Sequence, residues 1–307
     1  MKYIPILALI VILSFISGCV TQPQQPTHTS PSTVTSAIPT STTSGSPRES
    51  PTPGPFKSNM AVSFIDVGQG DSELIQSPSG MTMLIDAGPN EAAPRLVNFL
   101  HDHGVSTLNV VVATHPHEDH IGGMAAVLNT FTVKQFIDSG YPHNTSTYEN
   151  MLNLIDQKNI PFQTVKSGDT IALDPGISVQ VLNPQGMFSS DINQNSMVLK
   201  MTYGKVSYLF SSDVGGEAEN LYARSVGHID IFKVPHHGSS TSSGSFLLTQ
   251  LTPLVSVIEV GAGNPYGYPA PATLQRLQQS GLVYRTDLNG TITVTSDGNT
   301  YTVSTEK

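Results

Sequence analysis

The run His115-Pro116-His117-Glu118-Asp119-His120 constrains this chain more than any other feature. It sets three histidines and two carboxylates within six positions, in the pattern H-x-H-x-D-H, directly after Thr114 and the apolar stretch Leu108 to Ala113. A near-continuous apolar stretch of that length reads as a strand buried on both faces. Ligands on a tight loop at the end of such a strand can converge on a point. Imidazole and carboxylate suit zinc, manganese or iron. The spacing predicts that Asp119 and His120 point away from His115 and His117, which favours two neighbouring ions over one.

Further ligand-type residues lie at other expected strand ends. Asp213 follows Val206 to Ser211 and precedes Val214-Gly215-Gly216. A carboxylate there can bridge two ions, or simply cap a turn or helix. His236-His237-Gly238 follows Ile231 to Val234. Asp66, Gln69, Asp71 and Asp86 fall at turns near the first strands. Asp86 ends Met83-Leu84-Ile85, where it can orient a metal-binding histidine from behind or serve only as a turn residue.

Strands are predicted at 61–67, 72–76, 81–85, 108–113 and 133–137, and helices at 91–103, 121–128 and 147–158. The second half adds strands at 171–173, 177–182, 196–203, 206–211, 229–234, 255–260, 292–295 and 301–304. Its helices are expected at 217–225, 245–251 and 272–279. Strand-rich blocks mixed with amphipathic helices imply sheets covered by helices, of α/β or α+β type.

The first 58 residues differ in kind. Residues 1–19 read as a lipoprotein signal peptide: Lys2, a mostly apolar run from Ile4 to Ile16, then Ile16-Ser17-Gly18-Cys19. The run is too short to cross a membrane but suits a leader. Cys19 is the single cysteine of the chain, and it stands where lipidation requires one. An internal disulfide and a thiolate-rich zinc site are therefore excluded. Residues 20–58 are rich in Ser, Thr and Pro and are expected to form a disordered stem. Residues 59–307 form the expected folded domain. Lys2, Arg48, Lys57 and Glu49 are the charges before it, which leaves 11 basic against 22 acidic residues in the domain. That balance argues against broad electrostatic binding of nucleic acid.

Taken in order, Phe64-Ile65-Asp66-Val67-Gly68-Gln69-Gly70-Asp71-Ser72, Leu84-Ile85-Asp86-Ala87-Gly88, the H-x-H-x-D-H run, Asn195-Ser196, Asp213, Lys233-Val234-Pro235-His236-His237-Gly238-Ser239 and Tyr284-Arg285-Thr286-Asp287 form one pattern. The chain resembles the metallo-β-lactamase superfamily, and within it the hydrolase-like domain at the C-terminal end of the competence protein ComEC. The resemblance runs from about Met60 to about Ser304. It implies a four-layer αββα sandwich with a two-metal site at the sheet edges, holding zinc or manganese. His115 and His117 would bind one ion, and Asp119 and His120 the other. Asp213 would bridge them, and His237, or else His236, would complete the second. Asp86 would support from behind and, with Asp119, take part in catalysis, while Asn195, Ser239 and Tyr268 would touch substrate.

This sequence departs from the pattern at two places. Gln194-Asn195-Ser196 offers amides where many members carry a histidine for the first ion, although His143 could supply an imidazole. Tyr268 stands in Asn264-Pro265-Tyr266-Gly267-Tyr268-Pro269 where ComEC-like chains commonly have histidine. The implied function is an exported, membrane-tethered phosphodiesterase or nuclease working through a metal-activated hydroxide. Its substrate would be a phosphodiester, with DNA among the candidates. The alternatives are a β-lactamase or lactonase, and a non-catalytic metal-binding surface module.

Overall fold

The computed structural model describes residues 59–186 and 189–307. The leader, Cys19 and the stem expected at 1–58 lie outside the described residues. The first half runs β1 (Met60–Phe64), β2 (Glu73–Gln76), β3 (Thr82–Ile85), α1 (Ala93–Asp102), β4 (Thr107–Leu108), β5 (Val110–Ala113), α2 (Glu118–Ile121), α3 (Met124–Thr130), β6 (Thr132–Val133), β7 (Phe136–Asp138), α4 (Ser146–Gln157) and β8 (Phe162–Thr164). The second half runs β9 (Ile177–Asn183), β10 (Val198–Tyr203), β11 (Val206–Phe210), α5 (Glu219–Val226), β12 (Ile231–Lys233), α6 (Ser245–Leu251), β13 (Val255–Ile258), α7 (Pro271–Ser280), β14 (Leu282–Arg285), α8 (Thr286–Asn289), β15 (Ile292–Ser296) and β16 (Tyr301–Thr305).

Two mixed sheets carry the fold. One has the order β16-β15-β1-β2-β3-β5-β7-β8 and the other β14-β13-β12-β11-β10-β9. Strands alternate their side chains between faces, so a strand buried on both faces feeds two cores. In β5, Val110 and Val112 enter the core between the sheets, while Val111 and Ala113 pack under helices. In β11, Tyr208 and Phe210 face the other sheet and Leu209 faces helices. The outer cores hold Leu96 of α1, Val127 of α3 and Met151 of α4 on one side. On the other they hold Tyr222 of α5, Leu247 of α6 and Leu277 of α7. Helix, sheet, sheet and helix therefore stack as the expected αββα sandwich.

Several local expectations are corrected. No strand forms at 171–173; only Thr170 bridges to Gln180, because turns pinned by the Asp169 and Asp174 carboxylates close in from both ends. Ile171 and Leu173 still fill the inter-sheet core. The helix expected at 121–128 is two, α2 and α3, parted at Gly122-Gly123. A Cβ on Gly123 would meet the Ala87 carbonyl at 2.2 Å. Strands β8 and β14 have no counterpart among the predicted strands, since β8 is exposed throughout and Leu282 of β14 is largely in water. Edge strands of that kind carry no burial pattern to read.

Candidate metal centre

Parallel pairing of β3, β5 and β7 in one sheet, and of β11, β12 and β13 in the other, sends their carboxyl ends to one edge of the sandwich. Ligand sites in α/β folds gather at such ends. Here β3 delivers Asp86, β5 delivers Thr114 to His120, β11 delivers Ser212 and Asp213, β12 delivers the His236-His237 pair, and β13 delivers Glu259. Four of these residues hold the left-handed backbone: Asp86 at φ 55°, Ser212 at 45°, His236 at 52° and His237 at 53°. Each such non-glycine residue costs about 1–2 kcal/mol, so their clustering marks a region held by its surroundings. Gly70 serves the same edge from the β1–β2 turn. Its φ is 148°, and any Cβ there would meet the Asp119 carbonyl at 2.2 Å.

Asp213 stands at the centre. Its Oδ2 lies 3.8 Å from His115 Nε2 and 3.9 Å from His236 Nε2. Its Oδ1 lies 3.4 Å from His120 Nε2 and 3.9 Å from His237 Nε2. His117 Nδ1 comes within 3.0 Å of His115 Nε2, and Asp119 Oδ2 within 3.2 Å of His237 Nε2. One carboxylate thus faces two sets of ligands: His115, His117 and His236 on one side, His120, His237 and Asp119 on the other. His237 is the member of the pair beside Asp119, and His236 stands on the side of His115, toward the other oxygen of Asp213. The expectation that His120 points away from His115 is corrected, because the α2 turn folds it back and the two rings approach to 4.1 Å. Glu118 turns outward to accept from Thr147.

A supporting layer fixes these rings. Asp86 Oδ2 accepts from His120 Nδ1 at 2.7 Å and from the Thr114 hydroxyl at 2.6 Å, while Oδ1 accepts from Thr114 N. His237 Nδ1 donates to the Glu259 carbonyl at 2.9 Å and lies 3.3 Å from Asp71. Asp71 pairs with the buried Lys233 ammonium. Partners of this kind fix ring orientation and the tautomer that leaves the other nitrogen free.

The charges at the site are strongly perturbed. Burial would push Asp213 up, but His120, then His237, outweigh it and hold the carboxyl well below its usual range. Burial would lower His237, yet Asp213 and Asp71 lift it to about 10. His120 is raised for the same reason, chiefly by Asp213 and Asp71 against burial. Burial and the nearby His120 keep His115 and His117 neutral, the form a metal requires. Behind Asp71, burial and neighbouring carboxylates push Glu73 to about 8 and Glu259 well above its ordinary value.

These residues fit a divalent ion. His120 Nε2 and Asp213 Oδ1 are both buried, face each other, and have no hydrogen-bond partner. Unpartnered buried polar atoms are costly, and a cation between them removes that cost. His115, His120 and Asp213 have ligand atoms within 4.8 Å of one another, as do Asp71, His120 and His237. The ligands open into a cleft of about 340 Å³ lined also by Gln69, Tyr266 and Tyr268. A larger cleft of about 650 Å³ beside Arg95 and Lys307 holds none of the converging ligands.

The remaining expected residues divide. Tyr268 lines the cleft. Asn195 does not reach it, because its amide accepts from Ser189 N and donates to the carbonyls of Ser189 and Asp191, which ties down its own loop. Ser239 is buried and bonds Thr241. His143 lines a separate pocket with Tyr141 and Ser190. The sequence assigns no role to Lys233, Glu73, Glu259, Thr114, Ser212 or Tyr266, and it places Gln69 and Asp71 only at turns. Lys233, Gln69 and Asp71 do lie within the quoted motifs, which was the available signal.

The pattern of the metallo-beta-lactamase superfamily matches residues 65–260. The chain is 31% identical over 252 residues to ComE operon protein 3 of Bacillus subtilis, covering 75% of this chain and 32% of that protein. It is 28% identical over 244 residues to Recombination protein 2 of Haemophilus influenzae, covering 78% of this chain and 29% of that one. The chain thus spans about a third of the length of these relatives. Among solved structures it is similar to the metallo-beta-lactamase fold protein YhfI from Bacillus subtilis, with TM-score 0.50 and 11% identity, over 74% of this chain and 96% of that one. At that identity the likeness is one of fold.

Proposed function

The chain belongs to the metallo-beta-lactamase superfamily, and we propose that it hydrolyses phosphodiesters with two divalent ions, zinc or manganese, held on either side of Asp213. The observation that carries this reading is the Asp213 carboxylate, with one oxygen toward His115 and His236 and the other toward His120 and His237. Ions held there would lower the pKa of water and stabilise charge building on phosphoryl oxygens. The chain's own groups hold and orient. Asp86 aims His120, and the Glu259 carbonyl aims His237. Asp119 lies beside His237 with its side chain one-third exposed and its carboxyl held well below the usual range by His120 and His237 against burial, and it would serve as a metal ligand on that side. Tyr268 lines the cleft and can donate to a phosphoryl oxygen.

The cleft lining contains neither lysine nor arginine. Negative substrate charge must therefore be met by the ions. This favours one short phosphodiester over a long polyanion, in keeping with the acidic domain. A relative named Recombination protein keeps DNA among the substrates to test. The expected result is metal-dependent release of p-nitrophenol from bis-p-nitrophenyl phosphate, with a His117→Ala control. Turnover no faster than that control across phosphodiesters, single-stranded DNA, nitrocefin and lactones would count against a hydrolase. The leader and Cys19 support an exported protein tethered by lipid, and an intact mass showing an unmodified mature N-terminus would remove the tether.

A further inference from the structure

Two tyrosine rings stand at the mouth of the cleft, and the chemistry above uses only the Tyr268 hydroxyl and neither ring face. Tyr266 is 64% exposed, the largest exposure among the large apolar side chains described. Tyr268 lies beside it, with ring centroids 5.6 Å apart and planes inclined by 23°. The Tyr268 and His236 rings are also paired, in a T-shaped arrangement with centroids 5.6 Å apart. The rings thus form a line from a metal-side imidazole out to solvent.

The loop that carries them is fixed by one side chain. Asn264 Oδ1 accepts from Tyr266 N at 3.2 Å and Tyr268 N at 3.0 Å. Its Nδ2 donates to the carbonyls of Gly261 at 3.0 Å and Tyr268 at 2.7 Å. With both amide groups engaged, the backbone under each tyrosine is held in place. A surface held in its binding geometry loses little entropy when a ligand arrives.

The arrangement of the rings selects the ligand. A quaternary ammonium is held best by aromatic faces on several sides. Two nearly parallel rings, stacked on each other, make the exposed outer ring, Tyr266, a platform instead of a box. A platform suits a flat ring, which gains by offset stacking. The cleft lining also lacks lysine and arginine, so with its histidines turned to the ions further affinity must come from elsewhere on the substrate.

We propose that Tyr266 and Tyr268 form a ring-binding subsite, so that the preferred phosphodiester carries a planar aromatic ring, aryl or nucleobase, stacked on Tyr266. This rests on the phosphodiesterase reading for where the phosphate sits. It adds a selectivity that the ions alone do not give.

The chain has no tryptophan and ten tyrosines, so the part of the tyrosine quenching that Tyr266→Ala abolishes reports on stacking. The full chain, loaded with zinc or manganese, is titrated with methyl phosphate, phenyl phosphate, adenosine monophosphate and phosphocholine. Ring-bearing phosphates are expected to quench emission and bind at least about fivefold tighter than methyl phosphate, the low end for one stacked ring. Tyr266→Ala should remove that advantage without changing the circular dichroism spectrum, and Tyr266→Phe should keep it. Preference for adenosine monophosphate over phenyl phosphate identifies a nucleobase as the ring, and the reverse identifies an aryl ester. Equal affinity for methyl phosphate and both ring-bearing ligands overturns the subsite, as does tightest binding of phosphocholine. Turnover of bis-p-nitrophenyl phosphate is followed in parallel. Stacking without turnover retains the subsite and sinks the phosphodiesterase, whereas turnover without ring preference does the opposite.

Discussion

Asp213→Asn is expected to reduce bound divalent metal from two equivalents to one or none, and phosphodiester turnover by about 10³-fold. The substitution keeps shape and removes charge. Asp213 has an oxygen toward each set of imidazoles, at 3.4–3.9 Å. An amide presents one neutral oxygen and one nitrogen donor, so one side faces N–H groups where it had a ligand. Two ions contribute several kcal/mol to the transition state, and about 4 kcal/mol corresponds to that loss in rate. His236→Ala serves as the graded comparison. That side chain is 26% exposed and no hydrogen bond from the described residues holds its ring, so its loss should leave the fold intact and weaken one ion selectively. Elemental analysis of the purified variants and their turnover decide the matter. A full metal complement with native turnover in Asp213→Asn rules out the shared carboxylate.

Much of this site was legible because buried parallel strands read as apolar runs, and the ligands follow where those runs stop. Val110 to Ala113, Val206 to Phe210 and Ile231 to Lys233 each end at a ligand loop. The order of the motifs then pointed to the αββα sandwich, and three cores bear it out. The supporting layer was not legible. Glu73 sits in the short strand Glu-Leu-Ile-Gln and looks like a solvated charge, yet it is buried beside Glu259 and Lys233. Nothing local marks such a residue, because its partners come from other strands. The division of His236 and His237 between the two sides was hidden for a different reason. Both residues have positive φ, and only that backbone turns adjacent rings toward opposite oxygens of Asp213. Ligand spacing along a chain could favour His237 for the second side but could not assign His236 to the other, and it missed the approach of His115 to His120 that the α2 turn brings about.

Stripping the metal should make stability fall with rising pH far more steeply than in the loaded protein. His237 titrates near 10 in the folded chain, above its ordinary 6.5, because Asp213 and Asp71 outweigh the effect of burial. A base raised on folding contributes stability that is complete below about pH 6.5 and is lost as pH climbs through 10. His120 is raised in the same direction by the same carboxylates. On the acid side Asp213 is held well below 3.8, so its contribution is present above that value and is lost as pH falls. Glu73, an acid raised to about 8, also lowers stability as pH rises from 4.5, but it does so in both forms. The difference between stripped and loaded protein therefore isolates the imidazoles. Once ions occupy their nitrogens, His120 and His237 no longer need protons to balance Asp213, and loading must release those protons. Thermal unfolding of chelator-treated and zinc-loaded protein should give a gap that widens between pH 6 and pH 9. The His237 proton alone is worth on the order of 5 kcal/mol across its range. Calorimetry in buffers of different ionisation enthalpy should show proton release on zinc binding. A gap that stays constant with pH, with no protons released, would mean that His120 and His237 do not bind the metal.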